Sequence, residues 1–295
     1  MATTFKTLNS ANDVTSTRTL LHEAIPLTGT IASGTYTDAN IKTYSHGMFE
    51  SVYDYPYLSS SANHIFDITT GYASNSPLSG AAGGVQNSKK LNIYSQMAQV
   101  LVGYDATGSI QSFDQDGDIA AGGTKIREAL FVNFSRLLSK DEIKKGSFSI
   151  GLTTGGTSAA PVTNLTIADH GAADSYKVNS PAGEYGILYT SSATPNSASG
   201  VGLVYYQAGV AVLTGSNFAA SIMGTGVTVA TGYSAIATGS TIEVMANCFR
   251  NRLTNVSFNN TVELNSTVYF CRASHNEFNY SNNPTYLSES QIRVK

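Results

Sequence analysis

A long run without a single Asp, Glu, Lys or Arg, residues 185–242, limits what this chain can fold into. The run is rich in glycine and apolar residues, but its apolar stretches are shorter than the roughly 18 residues that a membrane helix needs. Uncharged strands with open edges tend to aggregate, so protein must cover much of this run. We expect neighbouring subunits or the chain's own arms to cover it, and the alternative is one ordinary buried sheet.

Short segments with strand character recur from residue 148 onward, separated by turn residues. Residues 202–206 and 210–213 are joined by Gln207, Ala208 and Gly209, a three-residue connection with glycine where a left-handed residue is needed. This pattern predicts a β-hairpin. The other predicted strands in this half are residues 148–152, 162–167, 175–178 and 185–189.

Two segments have the apolar spacing of amphipathic helices. The first begins after Asn87 or Ser88, which are both good N-caps, and ends before Gly103. Its apolar face carries Leu91, Tyr94, Met97, Ala98 and Leu101. The second helix runs from Thr241 to about Leu253. Its apolar face carries Ile242, Met245, Phe249 and Leu253, and Arg250 and Arg252 lie on its other face.

Strands dominate these predictions, and the fold class is therefore mainly β, a β-rich α+β fold. We expect antiparallel sheets or a sandwich, two or three short helices and an extended N-terminal arm. The predicted divisions are residues 1–82, an extended arm and irregular segment; 83–146, the helix-containing part of a core domain; 147–238, a Gly/Ser/Thr-rich β domain or insertion; and 239–295, a helix and strands that complete the core.

The scarcity of charge excludes several classes of function. Charged residues make up 13% of the chain, against roughly 25% in an average soluble domain, so much of the surface is expected to lie against neighbours in an assembly. The 17 Lys and Arg residues are scattered and the net charge is −3, which argues against a nucleic-acid partner. Residues 1–10 contain no apolar segment of a secretory signal, and we expect no membrane association and synthesis in the cytoplasm. Cys248 and Cys271 are expected to be free thiols.

Three alternating carboxylates, Asp114, Asp116 and Asp118, have the spacing that can present oxygens to Ca²⁺. The calcium loop of an EF-hand also needs Gly at its sixth position and Glu at its twelfth. Ile119 and Lys125 stand at those positions here. The pattern therefore favours a solvated acidic turn, and we predict no metal site.

Two short motifs are similar to parts of enzyme active sites, and both are incomplete. The segment around Ser158 resembles the nucleophile region of subtilisin-like proteases, but Asp169 and His170 follow it in the chain where an Asp and a His should precede it. His275 and Glu277 match the H-x-E of zinc deaminases without the P-C-x-x-C that completes the metal shell. We therefore predict no enzyme activity, no cofactor and no metal.

The most charged part of the chain lies between residues 125 and 145. Within it, Ser139 begins a Ser-Lys-Asp-Glu capping-box pattern with Glu142 at the third helical position, and Gly146 ends the segment. This pattern predicts a helix of barely two turns. The helix would present Lys140, Lys144 and Lys145 to a partner.

Three groups of residues are candidate contacts with partner proteins. One is the tyrosine group of the N-terminal arm, because an aromatic ring with a polar tip suits a half-wet interface. The second is the predicted charged helix, and the third lies near the C-terminus. For each group the alternative is packing within the chain itself. The candidates are Tyr53, Tyr55, Tyr57, Lys140, Lys144, Lys145, Phe278, Tyr280 and Tyr286.

Four segments resemble stretches of a family of uncharacterised virion structural proteins of marine T4-like myophages and related tailed phages. The most specific is FNYSNNPTY at residues 278–286, since an aromatic-turn-proline pattern of that length is hard to reach by composition alone. The others are KLNIYSQMAQVLVGY at residues 90–104, FVNFSRLLSKDEIKKGSF at residues 131–148 and GLVYYQAGVAVLTG at residues 202–215; residues 257–286 as a whole also share the resemblance.

The resemblance implies a part of the tail, baseplate, neck or fibre-attachment region of a virion, with no enzyme activity. Expected partners are other virion proteins and further copies of the chain in a symmetric assembly. The alternative is a receptor-binding or glycan-binding module on a phage fibre, in which tyrosines would stack on the ligand and Asn and Asp would contact its hydroxyls.

Overall fold

The computed structural model of the chain describes residues 7–28, 38–80, 84–119, 122–154, 163–190, 200–215, 233, 237–271, 287–288 and 291–292. The chain divides into two units. The first consists of Met1–Leu21 and Glu263–Lys295, and the second of His22–Val262. Residues 1–82, taken together as an arm and irregular segment from the sequence, are therefore shared between both units.

The strands of the described residues are β1 (Val14–Thr28), β2 (Ile41–Lys42), β3 (Glu50–Tyr53), β4 (His64–Tyr72), β5 (Phe113–Asp114), β6 (Lys125–Ile126), β7 (Glu128–Phe134), β8 (Glu142–Ile143), β9 (Ser149–Thr154), β10 (Thr163–Ala168), β11 (Lys177–Ser180), β12 (Gly183–Thr190), β13 (Gly200–Tyr205), β14 (Val210–Thr214), β15 (Leu253–Tyr269), β16 (Leu287–Ser288) and β17 (Gln291–Ile292). The α-helices are α1 (Val85–Leu101), α2 (Arg136–Ser139), α3 (Ala172–Ser175) and α4 (Ile242–Arg250).

One large sheet contains 13 of these strands, in the order β1-β15-β9-β10-β12-β13-β14-β7-β4-β3-β2, with β11 paired to β12 and β8 paired to β15. Neighbouring strands run antiparallel along the sheet from β9 to β2. Two small ribbons, β5-β6 and β16-β17, complete the described strands. The predicted β-rich fold class is confirmed.

The described strands of the charge-free run lie at the centre of the sheet, where the chain covers both of their faces. On one face, the ring of Tyr205 in β13 lies 6.4 Å from that of Phe113, in a core that also contains Tyr94 of α1. On the other face, Met245 and Phe249 of α4 belong to the core that the opposite side chains of the same strands form. The alternative of one ordinary buried sheet therefore describes these strands, and whether neighbouring subunits cover other parts of the run stays a prediction.

The sheet curls around the core that contains α4. The ring of Phe134 in β7 lies 5.7 Å from that of Phe148, just before β9, and 5.2 Å from that of Phe258 in β15. Five strands separate β7 from β15 in the sheet order. Rings on such distant strands meet only because the sheet bends back on itself, which gives the second unit a continuous aromatic core.

The predicted hairpin is confirmed, with a small difference in its loop. Strands β13 and β14 pair with Tyr205 opposite Val210, so the connection has one residue more than expected. Gly209 has a φ of +69°, the left-handed conformation for which the sequence pattern needs glycine. The predicted strands at residues 148–152, 162–167, 175–178 and 185–189 correspond to β9, β10, β11 and β12 within a few residues at each end.

Helix α1 begins earlier than its sequence predicts, at Val85 after Gly84. Asn87 lies inside the helix, where its side chain accepts a hydrogen bond from the Tyr72 hydroxyl and donates one to the carbonyl of Ser79. These tertiary hydrogen bonds replace the capping role that we expected for Asn87. No described helix is long and apolar enough to span a membrane.

Gly71 of β4 is the point where α1 comes closest to the sheet. A Cβ atom at this position would lie 2.6 Å from the carbonyl oxygen of Lys90 and 2.8 Å from the backbone nitrogen of Tyr94. Both contacts are with helix backbone, which cannot rotate away as a side chain can. Glycine is therefore required for α1 to reach its position on β4.

The predicted helix between Ser139 and Gly146 was wrong. Helix α2 ends where that helix was expected to begin, and Lys140 has a φ of +52°, which no helix tolerates. Glu142 instead lies in strand β8, paired with β15. The capping-box pattern fails because Ser139 is fully buried and its hydroxyl makes no cap.

The prediction that Arg250 and Arg252 lie on a polar face of α4 was also wrong in part. Arg250, the last residue of the helix, is 5% exposed, and Arg252, beyond its end, is 1% exposed. The guanidinium of Arg250 is satisfied within the chain because its Nε and Nη2 atoms donate to the side chain of Asn247, at 3.2 and 2.8 Å. At the start of α4, the Thr241 hydroxyl caps the helix by accepting a hydrogen bond from the backbone nitrogen of Val244 at 3.3 Å.

Candidate interaction surfaces

The three N-terminal tyrosines lie together at the loop between β3 and β4. The ring of Tyr53, half-buried in β3, is 6.4 Å from that of Tyr57 and meets His64 edge-on at 5.6 Å. Burial raises the pKa of Tyr53, and the neighbouring Tyr44 adds to this effect. Tyr55 and Tyr57 are 57% and 38% exposed, so the loop offers aromatic surface to a partner. Whether a partner contacts these tyrosines stays a prediction.

The lysines of the predicted charged helix are half-buried, and Lys145 interacts with the chain itself. Its ammonium lies 2.5 Å from Glu184 and 3.5 Å from Glu142, and 4.9 Å above the ring of Tyr176. Burial lowers the pKa of Lys145, but the bonds and charges of Glu184 and Glu142 outweigh it, so the net pKa is raised. The backbone nitrogen of Lys144 donates to the carbonyl of Asn259, and the backbone of Lys140 forms an isolated parallel β-bridge with Thr261.

The remaining predicted contacts, Phe278, Tyr280 and Tyr286, lie outside the described residues, as do Ser158, His275 and Glu277. Both cysteines lie within the described part of the chain and are free thiols, Cys248 buried and Cys271 exposed. Burial raises the pKa of the Cys248 thiol to about 11, which makes it unreactive at neutral pH.

The acidic loop is less solvated than its sequence suggests. One oxygen from each of Asp114, Asp116 and Asp118 lies within 4.8 Å of the others, but Asp114 is only 1% exposed. The Lys125 ammonium pairs with the Asp114 carboxylate and supplies a positive charge to the loop from within the chain. The prediction of a solvated turn was therefore wrong for Asp114.

Asp169 joins three separate segments through one buried carboxylate. It accepts hydrogen bonds from the backbone nitrogens of Gly146 and Phe148, at 2.8 and 2.9 Å, and from the hydroxyl of Tyr206 at 3.0 Å. Burial raises the pKa of Asp169 to about 6 although all three bonds oppose the shift. The sequence indicates Asp169 only as part of an incomplete protease-like triad. In the structure its carboxylate instead links the segments of Gly146, Phe148 and Tyr206 through hydrogen bonds.

A second buried carboxylate, Glu50 of β3, lies against α4. Its Oε1 atom accepts from the amide of Asn247 at 3.3 Å, and its Oε2 atom is buried with no hydrogen-bond partner within the described part of the chain. Burial raises the pKa of Glu50 to about 7; the positive charge of Arg250 opposes this shift, and Glu243 and Asp38 add to it. Glu50 is therefore protonated in mildly acidic solution.

We expect Glu50→Gln to flatten the pH dependence of stability. Between pH 4.5 and 7 the unfolded chain ionises Glu50 while the folded chain keeps it protonated, so the free energy of unfolding falls as the pH rises, by on the order of 3 kcal/mol. Urea denaturation at pH 5 and pH 8 measures this difference. Asp174→Asn removes an exposed carboxylate of α3 that does not act on Glu50 and should keep the decrease; an equal decrease in Glu50→Gln would contradict the assignment.

The first unit contains a two-stranded ribbon that its sequence does not reveal. The backbone nitrogen of Phe270 donates to the carbonyl of Asp13 at 2.7 Å, the hydroxyls of Ser16 and Thr267 lie 3.2 Å apart, and Arg18 pairs with Glu263 at 2.5 Å. Along these contacts the residue numbers rise in one strand and fall in the other, so the two strands of the ribbon are antiparallel. We call residues 14–21 and 263–269 the terminal ribbon.

The two faces of the terminal ribbon differ in polarity. Ser16, Arg18, Glu263 and Thr267 share one face, and alternation places Leu20 and Tyr269, 43% and 60% exposed, on the same face. Because side chains alternate along a strand, the opposite face carries only uncharged side chains. These are Thr15, Thr17, Thr19 and Leu21 from β1, and Leu264, Ser266 and Val268 from β15. Leu21, Leu264 and Val268 are 49%, 50% and 46% exposed.

The chain matches no protein-family model, no curated protein and no solved structure.

Proposed function

We propose that the chain is a structural component of a tailed-phage virion, in the tail, baseplate, neck or fibre-attachment region, without enzyme activity of its own. It acts by protein-protein assembly, with other virion proteins and further copies of itself as partners. The uncharged face of the terminal ribbon carries this proposal, and the resemblance of residues 278–286 to virion structural proteins supports it.

An isolated two-stranded ribbon is marginally stable in water, and three or more strands or a packed face are needed for stability. Most of the ribbon side chains are exposed on both faces. One face holds an ion pair and hydroxyl groups beside the exposed Leu20 and Tyr269, whereas the other face carries no charge and exposes Leu21, Leu264 and Val268 among threonines. A neighbouring subunit that covers the uncharged face would bury these apolar side chains and stabilise the ribbon.

The edge strand β1 makes a second copy of the chain a suitable partner. Strand β1 is the first in the order of the sheet and pairs on one side with β15. Edge strands offer unpaired backbone groups to other chains, and two copies can pair or pack such surfaces about a two-fold axis. The scarcity of charge in the chain, 13%, agrees with a surface that is largely covered in an assembly.

Substitution of adjacent ribbon residues tests this proposal. Leu264 and Asn265 are neighbours with opposite orientations, so Leu264→Lys places a charge on the uncharged face and Asn265→Lys places the same charge on the polar face. We expect the wild-type chain to form an oligomer by light scattering, and Leu264→Lys to weaken self-association at least tenfold, about 1.4 kcal/mol. Asn265→Lys should keep the wild-type mass.

Labelling of intact particles tests the virion location separately. An antibody against the chain, bound to purified particles of the phage that encodes it and viewed by electron microscopy, should mark the tail or neck. Unlabelled particles together with a monomeric wild-type chain would contradict the proposal. Equal effects of the two lysine variants would show that the uncharged face is not the contact surface.

A further inference from the structure

A cavity of about 280 Å³ lies beside α1 in the second unit. Its walls come from the segment after β4, from α1 and from the segment before β5, and they include Ser74, Asn75, Ser95, Ile110, Gln111 and Ser112. The volume is slightly below the roughly 300–1,000 Å³ of pockets for drug-sized ligands, so it suits a ligand of about one sugar ring. The cavity is independent of the terminal ribbon and of the proposed assembly.

The polar groups that line the cavity are neutral, and several have no partner. The side chains of Ser74, Asn75, Ser95 and Gln111 make no hydrogen bond to the described part of the chain. Each of these hydroxyl and amide groups can both donate and accept. None of the described residues that line the cavity is Asp, Glu, Lys or Arg, so they offer no counter-charge to a phosphate, a carboxylate or a metal ion.

The wall before β5 is held in place by its own hydrogen bonds. The carboxylate of Asp105 accepts from the backbone nitrogens of Thr107 and Ser109 at 2.8 and 2.9 Å, and the backbone nitrogen of Gln111 donates to Gly103 at 3.0 Å. At the floor, Tyr94 is 3% exposed and donates to the carbonyl of Ile126. A preformed wall lowers the entropy that is lost when a ligand binds.

The exposed aromatic residue Tyr104 is bridged to one residue of the cavity wall. Tyr104 and Ile110 face each other across an isolated antiparallel bridge, and residues so paired project to the same side. Ile110 lines the cavity, and its bridge partner Tyr104 is 52% exposed, so a ligand that extends out of the cavity past Ile110 would be within reach of the Tyr104 ring. A flat aromatic face and nearby amides provide both surfaces that a sugar ring needs, one for its C–H groups and one for its hydroxyls.

We propose that this cavity binds a neutral sugar, with Gln111 and Asn75 bonding its hydroxyls and Tyr104 packing against its ring. Each sugar hydroxyl both donates and accepts, which matches the unpartnered hydroxyl and amide groups of the wall. A charged ligand would lose its hydration without gaining an opposite charge. The cavity is too small for a folded protein partner, and a short glycan would enter by its terminal ring.

Titration of the full-length chain with single sugars tests the proposal. Glucose, galactose and N-acetylglucosamine are added separately, and binding is followed by ligand-observed NMR. We expect saturable binding of at least one sugar with a Kd in the millimolar range, as for a single small contact site. Gln111→Ala and Tyr104→Ala should each weaken it at least fivefold, while Gln96→Ala, an exposed Gln of α1 outside the cavity, should leave it unchanged.

Several outcomes would overturn the proposal. The first is the absence of saturable binding for all three sugars. The second is binding that Gln111→Ala and Tyr104→Ala leave unchanged, which would place the sugar elsewhere on the chain. The third is preferential binding of sulfate, which would show that the cavity selects anions. Tyr104 is largely exposed, so its removal keeps the test valid even if Gln111→Ala destabilises the fold.

Discussion

Replacement of Gly71 by alanine should lower the free energy of unfolding by about 3 kcal/mol. The added Cβ atom would lie 2.6 Å from the carbonyl oxygen of Lys90 and 2.8 Å from the backbone nitrogen of Tyr94, so α1 must move away from β4 or the strand must bend. Either response opens the packing of Tyr94 against Phe113 and Phe131. Urea denaturation, followed by tyrosine fluorescence because the chain has no Trp, measures the loss.

Gly80→Ala is the matched control for this substitution. A Cβ atom at Gly80 would have no atom of the described residues within 4 Å, and its backbone is outside the left-handed region. We expect this variant to differ from the wild type by less than about 0.5 kcal/mol. A Gly71→Ala variant as stable as Gly80→Ala would show that α1 does not lie on β4 as described.

Replacement of Asp169 by alanine should also cost about 3 kcal/mol, because it leaves the backbone nitrogens of Gly146 and Phe148 and the hydroxyl of Tyr206 without their acceptor. Asp174, a nearby exposed carboxylate in α3, provides the control: Asp174→Ala should change stability by less than about 0.5 kcal/mol. Circular dichroism during urea denaturation measures both variants.

The pH dependence of the Asp169→Ala effect distinguishes burial from hydrogen bonding. Since burial raises the pKa of Asp169 to about 6, the folded chain holds a proton on this group between pH 3.8 and 6 while the unfolded chain does not. The stability that the wild type owes to Asp169 therefore falls as the pH rises through this range. The loss caused by Asp169→Ala should be larger at pH 5 than at pH 8, and a larger loss at pH 8 would show that the hydrogen bonds dominate.

The strands of the second half of the chain are predictable from sequence because their signals are local. Apolar segments between turn residues mark β12, β13 and β14, and Gly209 marks the turn of the hairpin. Local signals also mislead, as at Ser139, where a good capping pattern precedes a residue with positive φ. That backbone conformation follows from the pairing of β8 with β15, about 120 residues later in the sequence.

The candidate surfaces are predictable only in part. Exposed tyrosines at Tyr55 and Tyr57 follow from the polarity of their segment, whereas the internal ion pairs of Lys145 depend on Glu184, which is remote in sequence. The cavity near Gln111 joins three separate segments, and single Ser, Asn and Gln residues carry no pattern that could have indicated it. The terminal ribbon was missed because Thr-rich segments with few apolar residues give no signal of their pairing partner.

The terminal ribbon can form only late in the synthesis of the chain. Its two strands are joined by contacts between residues 245 and 251 positions apart, such as Arg18 with Glu263 and Ser16 with Thr267. During synthesis, the N-terminal strand must wait for nearly the whole chain to emerge from the ribosome before it finds its partner. A chain that ends before Glu263 would therefore lack the paired ribbon, so under the proposed function truncated products could not assemble through this contact.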